Sequence, residues 1–168
     1  MENRKIIAVL GATGAQGGGL IRAILNDKSG EFTVRAITRN AGTDKAKALV
    51  NQGVEVVEAD VDNTDSLKKA FKGAYGAFCV TFFWEHFSAE KEKEQANNMA
   101  VAAREAGVKH VIWSTLEDTR KWLPIEDGRM PVLQGKYNVP HFDAKGEANQ
   151  LFADQGVPVT CLNTSFYW

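Results

Sequence analysis

The chain has 168 residues, enough for one domain with a sizeable core and too few for two large ones. Its 20 Lys and Arg stand against 21 Asp and Glu, a net charge of -1, which excludes a polybasic surface for direct nucleic-acid binding. No stretch approaches a membrane span, the first residues lack a signal-peptide layout, and Cys79 and Cys161 both lie in apolar runs. The expectation is therefore a cytoplasmic protein with two buried free thiols.

Lys5 to Leu10 reads as a buried strand that runs straight into Gly11-Ala12-Thr13-Gly14-Ala15-Gln16-Gly17-Gly18-Gly19. Leu20, Ile21, Ile24 and Leu25 then recur at helical spacing, and Asp27 to Gly30 ends the helix. In such a strand, turn and helix, Gly11 permits the tight turn and Gly14 permits backbone to approach a pyrophosphate. Gly17 lets the helix lie close on the sheet. Thr13, Ala15 and Gln16 complete the candidate phosphate site, where amides at a helix start face the anion. The spacing is G-x-x-G-x-x-G, whereas the dinucleotide fingerprint is G-x-G-x-x-G. A plain strand-turn-helix is the alternative; the apolar strand before and the amphipathic helix after favour the dinucleotide.

Strand two is expected at Phe32 to Thr38, a helix at Thr43 to Gln52, and strand three at Val54 to Ala59. A residue just past strand two meets the adenosine ribose: an acid there accepts from its hydroxyls, and a base offsets a 2′-phosphate. Arg39 occupies that place with no acid beside it, so NADP(H) is the expected cofactor, with NAD(H) at lower affinity. An ordinary surface arginine is the alternative. Asp60 and Asp62 fall on the adenine rim, or are simple loop and helix-start acids. Thr64 or Asp65 is expected to cap the next helix, on which Leu67, Ala70 and Phe71 repeat.

Strand four spans Ala77 to about Thr81 and leads into Phe82, placing Val80, Thr81 and Phe82 under the pyrophosphate and nicotinamide ribose as the wall of a nicotinamide pocket, or in the core. A helix from Ser88 opens with the charge run Glu90 to Glu94, expected to be a solvated face, and continues with Ala96, Met99, Ala100 and Ala103 toward the sheet. Strand five is His110 to Ser114. Residues 115–140 lack periodicity and suggest a lid or binding loop. A helix over Phe142 to Asp154 and a strand over Val157 to Leu162 follow. The alternation predicts an α/β, Rossmann-type, doubly wound parallel sheet.

Reductases of this architecture often use a tyrosine as proton donor with a lysine four residues later, which lowers the tyrosine pKa and holds the nicotinamide ribose. Lys145 fits the lysine, but His141 stands where the tyrosine belongs. Lys145, His141 and Ser114, at the end of strand five, are the catalytic candidates; for Ser114 a local backbone cap is the alternative. Tyr137 lies too far before Lys145 unless the loop folds it inward. No zinc spacing, nucleophile elbow or P-loop lysine is present.

Val9 to Gly18, Val34 to Asn40, Gly73 to Phe78, Trp84-Glu85 and His141 to Glu147 together resemble the NmrA-like family of atypical short-chain dehydrogenase/reductases. The resemblance implies a Rossmann domain binding NADP, with Gly11 through Gly17 at the pyrophosphate, Arg39 at the 2′-phosphate and Lys145 retained without the tyrosine. It also implies a smaller C-terminal domain. The closing Phe166-Tyr167-Trp168 would expose a large apolar surface, so either these rings tuck back onto the sheet or their cover lies outside these 168 residues; the second is expected.

Two functions follow. The first is a redox sensor or regulator in which NADP(H) orders residues 115–140 for a protein partner. The second is an NADPH-dependent oxidoreductase acting on a quinone or small carbonyl compound.

Overall fold

The computed structural model describes residues 4–164. Phe166 to Trp168, and the expectation attached to them, lie outside those residues. Six parallel strands, β1 (Lys5–Val9), β2 (Phe32–Thr38), β3 (Glu55–Glu58), β4 (Gly76–Cys79), β5 (His110–Thr115) and β6 (Val159–Asn163), form one sheet in the order β3-β2-β1-β4-β5-β6. The connections are α1 (Ala15–Asn26), α2 (Asp44–Asn51), α3 (Thr64–Phe71), α4 (Ala89–Glu105) and α5 (Pro140–Asp154). The result is a doubly wound Rossmann-type sheet, and its strand order reverses between β1 and β4, where such folds open a crevice.

The strands alternate between two cores because successive side chains point to opposite faces. Ala8, Ala77, Cys79, Val111 and Trp113 pack under α3, α4 and α5 with Leu67, Phe71, Met99 and Phe152. Val9, Val34, Ala36 and Phe78 pack on the other face with Ile21 of α1. Leu67 and Phe71 are fully buried, each worth about 2 kcal/mol of transfer from water. The alanine face of α4 lets that helix lie close to the sheet.

Several details differ from the sequence reading. β4 ends at Cys79, so Val80 and Thr81 lie just past the strand. Asn63 caps α3, accepting from the Ser66 amide at 3.0 Å, rather than Thr64 or Asp65. Cys79, between two strands, is buried and its thiol pKa is pushed up by desolvation, but Cys161 is exposed because β6 is the edge of the sheet among the described residues. Residues 116–139 contain two short 3-10 turns, Thr119–Lys121 and Ile125–Asp127, and α5 starts at Pro140, which places His141 in its first turn. Among the described residues, no helix is long and apolar enough to cross a membrane.

Candidate functional site

The glycine turn forms at the end of β1, facing the reversal point. Gly11 adopts φ +63°, a conformation that costs other residues energy. A Cβ on Gly17 would stand 2.4 Å from the Gly11 carbonyl oxygen, so only glycine lets α1 begin this close to the turn. Gly14 is the N-cap of α1; it has no side chain to cap the helix, and the first turn carries no acid. The positive end of the helix dipole is thus left to attract an anion.

A cleft of about 460 Å³ opens over this turn. It is lined by Gly11, Thr13, Gly14, Ala15, Gln16, Gly17, Arg39, Asp60, Asp62, Val80 and Thr81, so eleven of the sequence candidates for cofactor binding share one surface. Lys145, His141 and Ser114 do not line it. Phe82, expected with Val80 and Thr81 on the nicotinamide side, lines it as well; Glu85 and Gln95 also do, and the sequence reading gave neither a role there.

At the adenosine end, Arg39 donates to Glu85 through both terminal nitrogens, Nη1 to Oε2 at 2.7 Å and Nη2 to Oε1 at 2.5 Å. The Glu85 carboxylate holds the guanidinium pKa above its ordinary value. Partial burial works against ionisation of Asp62. The Gln95 amide at 2.9 Å and the Lys91 ammonium at 3.0 Å outweigh it and hold the carboxyl below its usual range. Asp60 stays exposed and accepts from the Asp62 amide at 2.9 Å.

Behind the opposite wall lies a closed polar cluster. Glu92 is fully buried, which corrects the expectation that the whole charge run faces water; Glu90 and Glu94 do. Helical rotation turns Glu92 toward α5, where Lys145 Nζ reaches its Oε1 at 2.8 Å. Lys145 also donates to the Thr81 hydroxyl at 2.5 Å, and that hydroxyl donates to Glu92. Burial pushes the Lys145 pKa down, and Glu92 opposes the shift. The Ser88 amide donates to His86 Nδ1, leaving the ring proton on Nε2, which lies 3.3 Å from Glu92 Oε2 without hydrogen-bond alignment. Lys145 therefore reaches the cleft only through Thr81.

His141 is half-buried in an aromatic cluster, its ring centroid 4.8 Å from that of Trp84 and 5.6 Å from that of Phe83. Desolvation lowers its pKa, with Lys145 adding to the shift, which favours the neutral ring. The Ser114 hydroxyl donates to Gln16 Oε1 at 2.7 Å, so it holds a cleft residue instead of facing the cleft. Tyr137 does fold inward, but away from the cleft: its hydroxyl donates to Glu90 at 3.1 Å, and Arg120, Lys136 and Lys93 flank the ring. Asp143 fastens the 116–139 segment by accepting from the amides of Thr119, Asn138 and Val139 and from the Thr119 hydroxyl. Among the described residues, no group of three or more His, Cys, Asp or Glu is placed to hold a metal.

The sequence pattern of the NmrA-like family matches residues 3–168. The chain belongs to the NmrA-like family. It is 35% identical over 150 residues to the NmrA-like family domain-containing oxidoreductase himF of Aspergillus japonicus, covering 88% of this chain and 42% of that protein. Over 162 residues it is 33% identical to the oxidoreductase notA of an Aspergillus species, covering 92% and 44%. Among solved structures, the triphenylmethane reductase of Citrobacter complexed with NADP(H) superposes with a TM-score of 0.74 at 28% identity, over 96% of this chain and 50% of that one. NmrA, a negative transcriptional regulator, in complex with NADP gives 0.76 at 26% identity, over 95% and 45%. This NmrA-like chain spans less than half the length of the curated relatives named above. The family fold is thus shared by regulators and oxidoreductases.

Proposed function

We propose that the chain is the dinucleotide-binding part of an NADPH-dependent oxidoreductase acting on a quinone or small carbonyl compound. The observation that carries this reading is the open cleft on the glycine turn at the β1/β4 reversal, with an uncapped helix start at its centre and Arg39 at its adenosine end. The residues fit the cofactor: the close approach at Gly17 leaves backbone amides to meet a diphosphate, and Arg39 suits a 2′-phosphate. When bound, NADP(H) supplies the hydride.

The chain's own residues bind and orient. Gly11 through Gly17 hold the diphosphate, Asp60 and Asp62 face the adenine, and Val80 with Phe82 shields the far wall from water. Thr81 presents a hydroxyl fixed by Lys145 and Glu92, and Ser114 steadies Gln16. Among the described residues no tyrosine lines the cleft, which suits a quinone: its reduced anion is stabilised by its own ring and needs little proton donation at the carbonyl.

The two relatives described above, at 35% and 33% identity, are named as oxidoreductases, which supports this reading over the regulator placed first on sequence grounds. A regulator acting through a protein partner keeps the likeness to NmrA in its favour. Against a cofactor-driven switch of residues 115–140 stands their placement, since none of them lines the cleft. Incubation with NADPH and a panel of quinones tests the choice. Quinone-dependent loss of NADPH is expected; saturable NADPH uptake with no turnover on any quinone or aldehyde would return the regulator to first place.

A further inference from the structure

Glu85 belongs to the 3-10 turn Phe83–Glu85 just past β4, whereas Arg39 follows β2. These strands lie on opposite sides of β1, so the Arg39 to Glu85 pair joins the two lips of the cleft across the glycine turn. The pairing is fork to fork: one carboxylate takes both terminal nitrogens, one of the guanidinium's two bidentate edges and one that a phosphate also binds. At 64% and 40% side-chain exposure, both partners are open to a competing anion. Two occupants of one fork exclude each other.

We propose that Glu85 is a specificity-determining residue that competes with the cofactor's 2′-phosphate for Arg39. The inference rests on the NADP(H) reading above. A phosphate monoester carries more charge than a carboxylate and has three strong acceptor oxygens, so it can displace Glu85 from the guanidinium. A 2′-hydroxyl cannot. Glu85 thus sets a threshold that only the phosphorylated dinucleotide crosses, at the cost of part of its affinity.

The experiment is calorimetry with adenosine 2′,5′-bisphosphate, 5′-AMP, NADPH and NADH on the wild type, Glu85→Gln, Arg39→Met and the double variant. Both side chains are exposed, so urea midpoints should stay at the wild-type value. Glu85→Gln is expected to tighten the bisphosphate and NADPH about fivefold, the scale of one exposed ion pair, and to leave 5′-AMP and NADH within about twofold. In the Arg39→Met background the gain should vanish. An equal gain there would reduce Glu85 to a general negative charge and overturn the proposal, as would unchanged or weaker bisphosphate binding in Glu85→Gln. If the wild type binds NADPH and Glu85→Gln changes nothing, only this inference falls; if the wild type takes up no dinucleotide, the functional reading falls with it.

Discussion

The two halves of the sheet handle their charged groups in opposite ways. At the cleft, the ends of β1 and β2 and the loop past β3 leave several polar groups available: an uncapped helix start, an exposed Asp60, an arginine paired with a rim carboxylate. Over β4 and β5 the charges are closed on one another, with Lys145, Glu92 and Thr81 forming a buried ring of contacts and Asp143 tying down the neighbouring segment. The difference separates binding from support. A ligand competes well for groups that face water and poorly for groups that have already replaced water with each other.

Substitutions should divide along that line. Lys145→Met leaves Glu92 buried without its cation and should cost about 3–5 kcal/mol of stability in urea unfolding. A loss below about 1 kcal/mol would mean that water reaches the cluster and that the two halves do not differ as described. Gly17→Ala belongs to the open half but sits at its tightest contact, where the added Cβ would stand 2.4 Å from the Gly11 oxygen. It should cost about 1–3 kcal/mol and weaken NADPH binding together with stability. Unchanged binding in the folded variant would show that the turn does not hold the diphosphate.

The smallest effect concerns pH. Hydrogen bonds from Lys136 and Lys93 lower the Glu90 pKa from its ordinary 4.5 to about 2. A lowered acid stabilises the fold above its unfolded pKa, so this contribution is present above pH 4.5 and fades as the pH falls toward 2. Glu90 is largely exposed, so solvent screening keeps the contribution small. The thermal midpoint of Glu90→Gln should therefore fall less steeply than that of the wild type between those limits; parallel curves would show that the pair is fully screened.

Much of the open half was legible because backbone needs dictate it. A turn that requires positive φ and a helix that starts against it demand glycine at fixed offsets, and Arg39 follows from its place after an apolar strand. The closed half was harder to read. Glu92 sits in a run of alternating charge that looks solvated throughout, and its partner Lys145 comes from another helix far along the chain. Only the α4 to α5 packing decides which member of the run turns inward. An available signal was Asp143: an acid in the first turn of a helix opened by Pro140 can reach back to the preceding amides, as it does. Cys161 was misjudged because an apolar strand reads the same at an edge as in the middle of a sheet.

Hydrogen exchange with and without saturating NADPH tests the central contrast most directly, because it reads both halves in one sample. The account predicts slowed exchange at the amides of residues 11–18 and around Arg39, with residues 116–139 unchanged. Protection confined to residues 116–139, or none at the glycine turn, would contradict it.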